Sequence, residues 1–267
     1  MRPSFPRPAS VQSVIRGIVF DLFDTLVDQN HRRLAPTEVD GRRIAATLPD
    51  LHAFAREQAG IAHSLLEFAD LLDGVDAAFR PTTIDVGVEL ATVDRFAALA
   101  RGLGCGEVAA LAAGLTRVHM GALRGAVTVP DHHELVLLTL AAQFRLGLCS
   151  NFSDGETARA VIGEAGFLPH LRSLVISEEV GIRKPRPEIF EAVAEGLGLE
   201  PREILHVGDS LEADIAGAAA VGMRTVWLTR RIREPEAKLA RYRGPRPDFA
   251  LDDLRDLPVL MARQGTG

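Results

Sequence analysis

The chain has little of several things that commit a protein to a class. Its 267 residues include two cysteines, one tryptophan, one tyrosine and, among 30 basic side chains, only two lysines. Cys105 and Cys149 are too few for a structural zinc site and too weakly paired in sequence to frame a disulfide, so both read as small buried apolar residues. No apolar run approaches the roughly 18 to 20 residues that span a bilayer. The opening MRPSFPRPASVQS lacks the apolar centre of a signal peptide, so residues 1–13 are expected to be a short flexible tail on a cytoplasmic protein with no membrane partner. A formal net charge of −6 gives no overall basic field for nucleic acid. Lys184 and Lys238 stand against 28 arginines. In such a chain a retained lysine points to a place where a compact ammonium matters.

What is present fits a globular enzyme-sized protein: 47% hydrophobic and 25% charged residues, enough for one large domain or a core with a smaller companion. Short β-rich runs occur at GIVFD (17–21), RLGLCSN (145–151), SLVISEE (173–179), ILHVGD (204–209) and TVWLTR (225–230). They are uniformly apolar, as strands covered on both faces should be. Between them lie helical patterns, DGETARAVIGEAGF, RPEIFEAVAEGLGL and EADIAGAAAVGM, closed by Gly166, Gly198 and Gly222. The alternation predicts a doubly wound, Rossmann-like α/β core with a parallel sheet.

From 30 to 129 the strand signals nearly vanish. LHAFAREQAGIAHSLLEFADLL, TVDRFAALARGLG and GEVAALAAGLTRVHMGAL repeat apolar residues at helical spacing, with FRPTTIDVGVE as a break. The expectation is an all-helical insert at 30–129, within a core made of 14–29 and 130–267.

Chemistry in an open α/β sheet belongs at the carboxyl ends of its strands. The first run ends at Asp21, the second at Ser150 and Asn151, and the fourth at Asp209 with Asp214 five residues on. Lys184 follows the third in GIRKPRPEIF, where Pro185 and Pro187 stiffen the chain. Each alone has an ordinary explanation as a cap, turn or solvated charge. Together, each near the end of a strand, they point to one site.

These motifs resemble those of the haloacid dehalogenase superfamily of hydrolases: FDLFDTLV, LCSN, the lysine of RKPRPEIF, and HVGDSLEADIAGA, with the helical insert similar to that family's cap. The resemblance implies Asp21 as nucleophile, Ser150 as a contact to the transferring group and Lys184 as the neutralising charge. It implies Thr25, Ser150, Asn151 and Lys184 around the substrate, and Mg2+ held among Asp21, the Phe23 carbonyl, Asp209 and Asp214. Asp214 would lie in the outer coordination shell or orient Lys184. The expected partner is a small molecule, a phosphorylated metabolite, taken by a monomer or homodimer.

One position departs from the pattern. The family's phosphatases carry a second Asp two residues after the nucleophile, as proton donor; here it is Phe23, and Asp24 stands where the family usually has Gly. Three readings follow. The first is a magnesium-dependent phosphatase acting through an aspartyl-phosphate. The second is a metal-independent 2-haloacid dehalogenase, whose halide leaves without a proton. The third is a phosphate-binding protein with little turnover. Asp209 favours the first, because a further buried carboxylate beside Asp21 is costly without a cation. Arg32, Arg33, Arg42 and Arg43 read as a solvated face, and His119, His132 and His133 receive no role.

Overall fold

The computed structural model describes residues 14–30 and 32–264; the expected tail at 1–13 lies outside the described residues. Six strands, β1 (Gly17–Phe20), β2 (Arg145–Ser150), β3 (Leu171–Ile176), β4 (Ile204–Gly208), β5 (Arg224–Leu228) and β6 (Phe249–Leu251), form one sheet. Every pairing in it is parallel, in the order β6-β5-β4-β1-β2-β3. The first five strands coincide with the five apolar runs.

Those runs are uniformly apolar because both faces of the sheet are covered. Successive side chains of a strand point to opposite faces. Ile18 and Phe20 of β1 pack with Leu146, Leu148, Leu205 and Val207 in one cluster, which Leu137, Ile162, Leu257 and Met261 complete from helices. Val19 and Cys149 face the other side, among Ile189, Phe190, Val193 and Ala218. Cys149 is thus a core residue, and burial pushes its thiol up to about 12. Gly166, Gly198 and Gly222 all lie at positive φ, as their place after helices predicts.

After Asp21 the chain leaves the sheet through Asp28–Gln29 and returns through Val127–Thr128, which pair antiparallel. Between these crossings lie α1 (Leu48–Ala59), α2 (Leu65–Phe79), α3 (Thr92–Gly102) and α4 (Val108–Gly125). Gly60 at φ 62° ends α1, and a Ser64–Glu67 capping box starts α2. These helices enclose their own core, including Leu51, Phe68, Phe96, Leu99 and Leu115. The segment also carries a small antiparallel hairpin, Thr37–Val39 with Arg42–Ile44, that the helical reading of 30–129 did not anticipate. Its turn is Asp40-Gly41, both at positive φ, the residue pair that tight hairpins favour.

The helical segment is fastened to the core near Gly87–Thr92. Val88 bridges Ile182, the buried Glu89 carboxylate accepts from Ser177 Oγ at 2.5 Å and pairs with Arg183 at 3.3 Å, and Thr92 N–H donates to the Ser153 carbonyl. Among the described residues no helix is long and apolar enough to cross a membrane.

Candidate active site

β1 lies between β4 and β2, so the residues that follow these three strands emerge side by side. Lys184, reaching in from the loop after β3, joins them: its Nζ donates to Asp21 Oδ1 at 2.6 Å, Asp214 Oδ1 at 2.7 Å and the Cys149 carbonyl at 2.8 Å. It is only 4% exposed. Burial alone would drive an ammonium toward neutrality, but Asp21 and Asp214 outweigh it and hold Lys184 above its ordinary value. The lone lysine of this region is therefore a buried cation held in position by three oxygens.

Asn151, expected near the substrate, spends its side chain on that lysine. Its Oδ1 accepts the Lys184 N–H at 2.7 Å and its Nδ2 donates to the Lys184 carbonyl at 3.0 Å. Asp214 is engaged on both oxygens: Oδ1 meets Lys184 and His206 Nε2, the latter at 3.0 Å, and Oδ2 accepts from Ser210 N–H at 3.0 Å. Burial opposes its charge, yet Lys184 and His206 keep Asp214 well below the usual carboxylate range. A π-helical turn, Leu211–Ile215, brings Asp214 back over β4. Gly208 makes room for it, since a Cβ there would lie 2.2 Å from Asp214 Cγ.

The other two carboxylates behave differently. Burial, only partly offset by Lys184, pushes Asp21 up to about 6. Asp209 rises to about 7, through burial and then repulsion from Asp21, Asp214 and Asp24. Asp21, Asp209 and Asp214 offer oxygens within 4.8 Å of one another, a spacing that a cation can bridge. Among the described residues no side chain bonds to the Asp209 carboxylate; its carbonyl accepts from Trp227 Nε1 at 2.8 Å. A hard divalent ion such as Mg2+ fits this all-oxygen set. The Thr25 and Ser150 hydroxyls are buried and have no partners among the described residues, as groups awaiting a ligand would be.

The sequence comparison adds a family to this geometry. A model of haloacid dehalogenase-like hydrolases matches residues 15–222. The chain belongs to this family of hydrolases. Among curated relatives, phosphoserine phosphatase of Thermus thermophilus is 38% identical over 42% of this chain and 42% of its own length. Glyceraldehyde 3-phosphate phosphatase of Pyrococcus abyssi is 27% identical over 80% of this chain and 82% of its own. The chain spans about half the length of the first curated relatives it matches, from 39% to 54%. In structure it is similar to 2-haloacid dehalogenase from Pseudomonas syringae, with a TM-score of 0.73 at 21% identity, covering 94% of this chain and 99% of that one. That likeness speaks for the fold.

Two residues that the sequence singled out in this haloacid dehalogenase-like hydrolase, Phe23 and Asp24, have defined places. Phe23 stacks on Phe152, with ring centroids 4.7 Å apart and planes 28° from parallel. Asp24 sits at φ 57°, the left-handed region where glycine is most at ease. Its Oδ1 pairs with Arg231 Nε at 2.7 Å and accepts the Gln29 N–H at 3.1 Å, so it is built into the turn.

Three of the residues without an assigned role find structural partners. Arg42 pairs with Asp70 and Asp73, and Arg33 donates to the Gly125 carbonyl. His119 faces Thr47 Oγ1 at 3.0 Å, and burial pushes its ring down to about 4. Sequence reasoning missed His206 and Trp227. A histidine inside the otherwise apolar run ILHVGD was the available signal, because a buried polar side chain needs a partner.

Proposed function

We propose that the chain is a magnesium-dependent phosphatase that moves a phosphoryl group from a small metabolite to Asp21, with residues 30–129 as a cap over the core. One observation carries this reading: the Asp209 carboxylate is half-buried beside Asp21 and Asp214 and lacks a side-chain partner among the described residues. It adds a third acid to a pocket whose cation is Lys184. A metal-independent dehalogenase would have no use for it, whereas a bound divalent ion would offset its charge.

Asp21, Asp209 and the Phe23 carbonyl would hold the ion, with Asp214 beside them orienting Lys184. Mg2+ there would withdraw charge from a phosphoryl oxygen. Lys184 occupies Asp21 Oδ1, which leaves Oδ2 to attack phosphorus while the bond to the leaving oxygen breaks. Thr25 and Ser150 supply hydroxyls to the phosphoryl oxygens, and the Lys184 ammonium balances the charge that accumulates. Water then cleaves the aspartyl-phosphate, releasing phosphate and restoring the carboxylate. Relatives named as phosphatases of phosphoserine and glyceraldehyde 3-phosphate support a small phosphorylated substrate.

Phe23 favours a second reading, dehalogenation of a 2-haloacid, because halide departs without a proton donor. A screen of phosphorylated metabolites and 2-haloacids, each with magnesium or chelator, separates the two. Phosphate release that chelator silences and Asp21→Asn abolishes is the expected result. Chelator-resistant halide release would establish the dehalogenase. A melting temperature raised by magnesium and phosphate, with no turnover on the panel, would make the protein a binder.

A further inference from the structure

Away from the carboxylate pocket, a second cluster of metal-binding side chains stands where helix α5 (His133–Ala141) begins. His132, at its N-cap, and His133 meet Asp253, which precedes the C-terminal helix Leu257–Gln264. One ligand atom from each lies within 4.8 Å of the others.

His133 supplies the decisive detail. Its ring is fully buried, and Nδ1 lies 2.8 Å from the Leu26 carbonyl. A carbonyl only accepts, so Nδ1 carries the hydrogen. With its hydrogen on Nδ1, the imidazole presents Nε2 as a lone pair. That atom is buried and has no partner among the described residues. An imidazole whose far nitrogen donates to a backbone carbonyl, with its other lone pair free, is the arrangement that metal-ligating histidines adopt.

Its neighbours complete a donor set. His132 Nε2 lies 2.7 Å from Asp253 Oδ1. The same Oδ1 accepts from Arg255 N–H at 2.9 Å and pairs with Arg255 Nε at 3.1 Å, which leaves Oδ2 for another partner. Arg230, the other cation nearby, is matched by its pair with Asp28.

We propose that His132, His133 and Asp253 bind one divalent transition ion of the zinc class, at a site separate from the Asp21–Asp209 pocket. Two neutral imidazoles and one carboxylate suit such an ion, whereas Mg2+ prefers oxygen. Binding would exchange the His132–Asp253 hydrogen bond for two coordinate bonds and fill the empty side of His133. It would fasten α5 to the C-terminal segment and, through Leu26, to the loop that begins at Asp21. The role is structural and independent of the phosphatase reading.

The test uses the full chain carrying Asp209→Asn, which weakens the acidic pocket, and titrates it with Co2+ alone. One equivalent should bind with the visible absorption of nitrogen-ligated cobalt, and Zn2+ but not Mg2+ should displace it. His132 is part-exposed, with 30% of its side chain accessible, so His132→Gln should leave the far-ultraviolet circular dichroism unchanged. That variant and Asp253→Asn should each weaken Co2+ binding by at least about tenfold. Absence of cobalt binding in the Asp209→Asn protein, or binding unaltered in both variants, would overturn the proposal.

Discussion

The side chain of Asn151 closes on the main chain of Lys184 from both sides, accepting its N–H at 2.7 Å and donating to its carbonyl at 3.0 Å. The lysine backbone is thereby fixed independently of the charges at its tip. Asn151→Ala removes two partly buried hydrogen bonds, each worth about 1 kcal/mol. Thermal denaturation should register a loss of about 1–2 kcal/mol. The variant should also lose kcat more than it raises KM, because the main chain that positions the Lys184 ammonium against Asp21 would be less fixed.

Gly208→Ala should be more damaging than its size implies. The added methyl would lie 2.2 Å from Asp214 Cγ and 2.4 Å from Oδ2. Asp214 cannot swing aside, since Lys184, His206 and Ser210 hold it. The expected cost is about 1–3 kcal/mol in stability, with near-complete loss of hydrolysis. A variant of wild-type Tm and activity would show that the pocket tolerates the shift.

Asp209 predicts a pH-dependent difference in stability. Its carboxyl sits at about 7 in the folded protein, above its ordinary 3.8, so the native state holds a proton that the unfolded state releases. Its contribution to stability is present at low pH and is lost as pH rises through about 7. Other groups titrate in the same range, and His119, lowered to about 4, acts with the opposite sign. The comparison with Asp209→Asn isolates the contribution of this carboxyl. In chelator, the variant should gain on wild type from pH 5 to pH 8; with Mg2+ added, wild type should recover and the variant should not. A pH-independent gap in Tm would refute this account.

Phe23 and Asp24 predict which leaving groups the enzyme tolerates. With a stacked aromatic ring where a proton donor is usual, alkyl phosphates should be cleaved about 10² to 10⁴ times more slowly than aryl or acyl phosphates. Asp24→Asn should leave the rate nearly unchanged, because that carboxylate is occupied by Arg231 and the Gln29 N–H. Equal rates on alkyl and aryl esters, lost in Asp24→Asn, would make Asp24 the acid.

Much of this arrangement is legible in the sequence because burial on both faces writes itself as uniform apolar runs. Asp21, Ser150 and Asp209 follow from such runs directly, and Lys184 from its rarity. β6 left no such mark: Phe249–Leu251 is three residues long at the sheet edge, after the turn-forming RGPRPD. The hairpin around Asp40-Gly41 was announced by its turn residues but is too short to interrupt a helical pattern. The division of labour among the acids was out of reach. It depends on a π-helical turn, which has no local signature, and on His206, whose one signal was a histidine inside the apolar run ILHVGD. Asn151 shows the same limit, since its partner lies 33 residues away.

Trp227 has a consequence for how the protein can be watched. It is the chain's only tryptophan, it is 1% exposed, and its indole N–H donates to the carbonyl of Asp209. Intrinsic fluorescence excited at the red edge therefore comes from a single indole, one hydrogen bond from the residue proposed to take the cation. A change in charge at Asp209 should alter the emission directly, so the apo and loaded states can be followed in real time without any added label.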